Sequence, residues 1–137
     1  MYGRFTHQPP LEDVKEREER QLCESSLYEF IRYAWHTIEG DKEFVEGWHI
    51  RMISLCLEKA FEREIKYIII NIPPGCCKSI ILVMFNAWVW VKDPAAKFMQ
   101  LSYAQNLSIE HNDNFRKIIS SEWYNKHWGE KFDVKED

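Results

Sequence analysis

Lys78 and Ser79 are the residues of this chain best placed to do chemistry. They close a short loop, Pro73-Pro74-Gly75-Cys76-Cys77, that separates a β-branched run from a long apolar one. An ammonium and a hydroxyl at a helix entrance, beside backbone N–H groups without intrahelical partners, can hold a polyphosphate. The lysine meets the β- and γ-phosphates, and the hydroxyl joins Mg²⁺. Against the pattern G-x-x-x-x-G-K-S/T, Ile72 stands at the first glycine and Cys77 at the second, so the match is degenerate. Cys77 carries a Cβ, so it fits there only if its backbone avoids the left-handed region or enters it at a cost. Gly75, two residues earlier, is expected to take the tight bend. The expected nucleotide contacts are Pro74, Gly75, Cys76, Cys77, Lys78 and Ser79, with Lys78 as the catalytic cation and Ser79 as the metal ligand. The competing reading is a strand-to-helix turn with an incidental Lys-Ser pair.

Trp48 and His49 are a second pair of candidates, because a flat aromatic and a ring nitrogen suit a purine. They equally suit the start of a helix that they cap and pack. Cys76-Cys77 does not read as a metal site, since adjacent side chains diverge and no second Cys or His pair follows at ligand spacing. A thiol at a helix N-terminus can have a lowered pKa, so either cysteine is a candidate for alkylation. Tyr103 follows an expected strand at its C-terminal end, where ligands of open α/β sheets gather. Arg116 and Lys117 could reach DNA or a neighbouring subunit's phosphates, but a solvated helix face explains them as well. His111 reads as a satisfied, partly buried histidine, and Trp123, Tyr124 and Trp128 as the cover of a core edge.

The elements that must position the loop follow from periodicity. Leu11 to Gln21 mixes charges of both signs and reads as a solvated helix. Leu27, Phe30, Ile31, Ala34, Trp35 and Ile38 define one apolar helix face, and Ile50, Ile53, Leu57 and Phe61 a second one after the Gly40-Asp41 break. Lys66 to Ile72 is continuous, short and β-branched, which predicts a strand covered on both faces. Lys78 to Val91 is apolar nearly all round and predicts a central helix stopped by Asp93-Pro94. A second strand is expected over Lys97 to Tyr103, and a helix over Gln105 to Ser120. Strand, loop, helix, strand makes a right-handed βαβ unit. Met1 to Pro10 reads as an arm.

At 137 residues the chain fits one domain. Six tryptophans along the chain argue against disorder. The net charge of −4 leaves no global positive field for nucleic acid, so DNA contact would need a local patch. The four cysteines lack a disulfide spacing, and no apolar signal region opens the chain, which predicts a reduced, intracellular protein. The run from Ile80 to Val91 falls short of the roughly 20 apolar residues that cross a bilayer, so no membrane span is expected.

The string Asn71-Ile72-Pro73-Pro74-Gly75-Cys76-Cys77-Lys78-Ser79 resembles the phosphate loop of the large terminase subunits of tailed phages, in which two prolines precede a short loop ending in Lys-Ser. Gly47-Trp48-His49 upstream is similar to the family's segment preceding its nucleotide site. Leu101-Ser102-Tyr103-Ala104-Gln105-Asn106-Leu107, followed by Ser120-Ser121-Glu122-Trp123-Tyr124, is similar to its second strand, next helix and S-x-W-Y ending. The resemblance runs from Leu27 to Phe132. It implies an α/β, P-loop NTPase-like fold, a partial parallel sheet with flanking helices, divided as 1–22 (arm and charged helix) and 23–137 (N-terminal part of an ATPase domain). It further implies ATP and Mg²⁺ as ligands and ATP hydrolysis coupled to translocation of double-stranded DNA into a procapsid. The implied setting is an oligomeric ring in the bacterial host cytoplasm, with a portal protein and a small terminase subunit as partners.

Gly75 stands where many members carry an arginine, so a charge-stabilising loop arginine is not carried over. An ATPase of this kind also needs an apolar strand ending in Asp-Glu. None is found, Phe132 to Asp137 being too polar, and the nuclease carboxylates are missing as well. The expectation is a truncated or split gene product that binds nucleotide but turns over slowly or not at all. Two alternatives remain. One is a catalytically inactive interaction module docking on portal or a companion subunit. The other is a small-molecule or nucleotide kinase, which would need an acceptor pocket and lid arginines not seen after Ser79.

Overall fold

The computed structural model describes residues 11–131. The expected arm of residues 1–10 and the polar segment after residue 131 lie outside them. Six α-helices follow one another: α1 Leu11–Ser25, α2 Leu27–Glu39, α3 Trp48–Phe61, α4 Lys78–Lys92, α5 Gln105–Ile119 and α6 Glu122–Trp128, with a 3₁₀ turn at Gly129–Lys131. The helix α1 runs unbroken through the boundary expected at residues 22 and 23.

The core forms around α4, which packs on α1, α2, α3 and α5. Its sequence is apolar on nearly every side, so it can only be stable when surrounded; Ile81, Val83, Met84, Ala87, Trp88, Val89 and Val91 are buried. The face expected for α2 is the one it buries, with Leu27, Phe30, Ile31 and Ala34 fully covered. Ser26 caps this helix by accepting from Glu29 N, and Glu58 of α3 accepts from Leu27 N at 2.6 Å. Two of the first-turn amides of α2, which a helix cannot pair internally, therefore have side-chain acceptors. Phe30, Trp123, Tyr124 and Trp128 form an aromatic cluster with ring centroids 5.3–6.4 Å apart. Trp128 and Tyr124 lie inside the core rather than at its edge.

The polar tips of these aromatics tie the helices together. Trp88 Nε1 donates to the carbonyl of Cys23 at 2.8 Å, Tyr124 Oη to that of Ala87 at 3.1 Å, and Trp128 Nε1 to the Glu24 carboxylate at 2.9 Å. Each of these three side chains contributes about 1.5–3 kcal/mol through its apolar body, and its polar tip is paired.

The α/β expectation is overturned. Among the described residues there is no β-strand, so there is no parallel sheet and no βαβ unit, and the P-loop NTPase-like sheet fold is not formed. Residues 66–72 and 97–103 form neither helix nor strand. In the first segment Ile68, Ile70 and Ile72 pack on the core while Tyr67 and Ile69 point outward, 82% and 88% exposed. In the second, Met99, Leu101 and Tyr103 are exposed too. A β-branched run carries the propensity for a strand, but a strand exists only where a neighbour accepts and donates its backbone hydrogen bonds. The helical core covers one side of residues 66–72, and their backbone makes no hydrogen bond to another described segment.

The Trp88 hydrogen bond yields a test. Trp88→Phe keeps a ring in the core and strands the Cys23 carbonyl, so urea unfolding is expected to show a loss of about 1–3 kcal/mol. An unchanged midpoint would show that this bond does not hold α4 to α1.

Candidate functional site

Residues 73–79 connect the preceding segment to α4, and the backbone turns sharply at two points. Gly75 has φ +86°, the bend expected of it. A Cβ at Gly75 would meet nothing within 4 Å, so glycine is needed there for the dihedral and not for space. Cys77 is the N-cap of α4 and sits in the left-handed region at φ 59° and ψ 16°. The glycine position of the motif therefore retains the left-handed conformation although a cysteine fills it, at a cost of about 1–2 kcal/mol. No side chain caps α4. The amides of its first turn have no intrahelical acceptor by construction, and their positive end faces the loop.

The loop forms one wall of a cavity of about 740 Å³. Pro74, Gly75, Cys76, Cys77, Lys78 and Ser79, all the loop contacts expected from the sequence, line it together. Lys78 and Ser79 are exposed, and Lys78 makes no ion pair among the described residues. Tyr103, at the end of the segment 97–103, lines the same cavity. The opposite wall comes from α2 and consists of Trp35 and Glu39. Sequence reasoning missed both as site residues. Trp35 was visible as one position of an apolar face, and its spacing of four from Glu39 puts both on one side of the helix.

Trp48 and His49 are not brought to this cavity. Trp48 is 79% exposed at the start of α3, in an edge contact with the His49 ring at 6.3 Å between centroids. The His49 ring folds back over Gly47, where an added Cβ would lie 2.5 Å from it. Neither side chain caps α3. Arg116 and Lys117 lie exposed on α5, with Lys117 Nζ donating to Asn114 Oδ1 at 3.2 Å. His111 is half-buried and pairs through Nδ1 with Gln100 Nε2 at 2.9 Å, which ties the segment 97–103 to α5.

The expectation of an activated thiol is corrected at Cys77. Partial burial pushes its pKa up, and the Glu39 carboxylate adds to the shift. A thiolate is disfavoured in poor solvation and beside a negative charge. Burial pushes the Cys23 thiol up to about 12. All four cysteines are free.

A second cavity of about 580 Å³ lies between α4, the segment after it and α5, lined among others by Asn86, Trp90, Gln100, Asn112 and Phe115. It is not continuous with the loop residues in its lining. Among the described residues no helix is long and apolar enough to cross a membrane. No protein-family model matches this chain, and neither curated proteins nor solved structures yield a match.

Two outcomes follow from the loop geometry. Cys77→Gly relieves the left-handed strain and is expected to raise stability by about 1 kcal/mol in denaturant unfolding; a loss would mean that the side chain matters more than the dihedral. Near neutral pH Cys77 is expected to react with a disulfide reagent more slowly than an unhindered cysteine and to accelerate only as pH rises past the ordinary thiol range. Mass mapping of the labelled residues checks the order, with Cys23 modified only on unfolding.

Proposed function

We propose that this chain binds a nucleoside triphosphate through residues 74–79 and is the ATP-binding part of a DNA-packaging motor similar to the large terminase subunits. The observation that carries the reading is the gathering of Gly75, Cys77, Lys78 and Ser79 around one open cavity at the uncapped N-terminus of α4. Phosphate oxygens would accept from the free first-turn amides, Lys78 would neutralise β- and γ-phosphate charge, and Ser79 would join Mg²⁺. The left-handed Cys77 supports the same reading, because non-glycine residues in that region are kept where function requires them. The reading rests on the loop and its helix, and no sheet enters it.

Coupling to translocation of double-stranded DNA into a procapsid comes from the resemblance alone, carried by the order of the motifs along the chain. In that setting portal protein and a small terminase subunit are the partners, the motor is a ring, and the host cytoplasm is the location. Without an acidic pair on a strand after the loop, the described residues are expected to bind nucleotide weakly and to hydrolyse it very slowly. A second reading, an interaction module that docks on portal or a companion subunit, is favoured by the exposed apolar residues Tyr67, Ile69, Met99, Leu101 and Tyr103.

Titration with fluorescent ATP separates the two. Lys78→Ala removes a charge-assisted contact worth about 1.5–3 kcal/mol and is expected to lower affinity at least about tenfold. Equal affinity in both proteins removes the phosphate-loop assignment. Capture of portal protein in the absence of any ATP binding would favour the docking module.

A further inference from the structure

The cavity that holds the loop has a second wall, and that wall carries a carboxylate. Glu39 ends α2, and its side chain is only 19% exposed. It lines the cavity together with Lys78 and Ser79, although 39 positions separate it from Lys78 in the chain. Lys42 pairs with one of its oxygens, Oε2, at 2.7 Å. The Oε1 atom has no protein partner among the described residues. One turn earlier on the same helix, Trp35 lines the cavity as well. It is about nine-tenths buried, and its indole N–H has no hydrogen-bond acceptor. A buried donor left unpaired costs about 1–3 kcal/mol, and this nitrogen is covered by protein rather than open to the cavity. The α2 side of the cavity thus offers one carboxylate, paired with Lys42 through Oε2 and with Oε1 left for a ligand.

A carboxylate beside a polyphosphate site poses an electrostatic problem. Two anionic groups sharing a partly closed cavity repel one another, more strongly than in open water. A divalent cation between them turns the repulsion into attraction. Mg²⁺ suits that place, because it is commonly held by one or two carboxylates with substrate phosphates and waters and needs no cage made wholly of protein. The described residues contain no group of three or more His, Cys, Asp or Glu that could hold a metal ion by themselves, so a cation here would need ligands from the polyphosphate and water.

We infer that Glu39 is the protein carboxylate of a divalent-cation site shared with Ser79 and the bound polyphosphate, so that α2 makes phosphate binding at this loop depend on Mg²⁺. The inference rests on the phosphate-loop reading of residues 74–79. It gives the chain an acid at the loop that comes from the helix before it in sequence rather than from a strand after it. Without the cation, Glu39 opposes the polyphosphate and Lys42 only partly offsets its charge. With the cation, the same carboxylate becomes a ligand, directly or through a bound water.

The test uses the full chain and inorganic tripolyphosphate, titrated by calorimetry with and without magnesium chloride. Wild-type affinity is expected to rise about tenfold or more with Mg²⁺. Glu39→Gln is expected to act in opposite directions in the two arms. It should tighten cation-free binding by removing the repulsion and should shrink the magnesium gain to about threefold or less. Glu39→Asp keeps the charge and should retain most of the gain. An unchanged magnesium gain in Glu39→Gln overturns the inference, as does weakening of both arms alike in Glu39→Gln and Glu39→Asp, which would mark a packing role. If the wild type binds tripolyphosphate in neither arm, the loop reading itself fails and this inference falls with it. Binding by the wild type with no effect at position 39 rejects the cation site and leaves the loop standing.

Discussion

The hydrogen bond from Trp88 to the carbonyl of Cys23 joins the most apolar helix of the chain to the end of its most charged one. The arrangement around it depends on covering α4. That helix has no face that water can solvate well, so α1, α2, α3 and α5 are drawn to it by the apolar area they remove from solvent. The hydrogen-bonding tips of Trp88, Tyr124 and Trp128 then give the packing its registry, since each must reach a particular acceptor as its ring is buried. Burial of α4 carries its N-terminus, and the loop in front of it, to a defined place beside the end of α2.

At that place two opposing demands meet. The loop presents amides, an ammonium and a hydroxyl, all suited to an anion. The helix facing it presents a carboxylate, and the same carboxylate helps hold the Cys77 thiol in its neutral form. Backbone strain adds a third element, because Cys77 holds a left-handed conformation that glycine would adopt freely. A strained turn, first-turn amides and a carboxylate paired with Lys42 are thus gathered at one place.

The segments at residues 66–72 and 97–103 show how a local pattern can lead to a wrong fold. Neither forms the strand expected of it, although the loop and helix between them follow in the order read from the sequence. A sheet, however, is a property of neighbours. Alternation along residues 67–70 places every second side chain on the helices and leaves Tyr67 and Ile69 outward, a pattern that a continuous apolar run does not disclose. Trp48 and His49, whose chemistry suits a purine, stand at the start of α3 and are not among the residues that line the loop cavity.

Local sequence determined a great deal here. Periodicity located the apolar faces of α2 and α3 and the all-round apolar character of α4, the Lys-Ser pair marked the entrance of α4, and Gly75 marked the bend, because each of these depends on residues within one or two turns of each other. Tertiary structure alone decided that Trp35 and Glu39 face Lys78 and Ser79, that Cys77 bends left-handed under a cysteine side chain, and that residues 66–72 and 97–103 find no ladder. Those outcomes join residues tens of positions apart, or choose between backbone states of nearly equal energy, and short-range pattern holds no information about either.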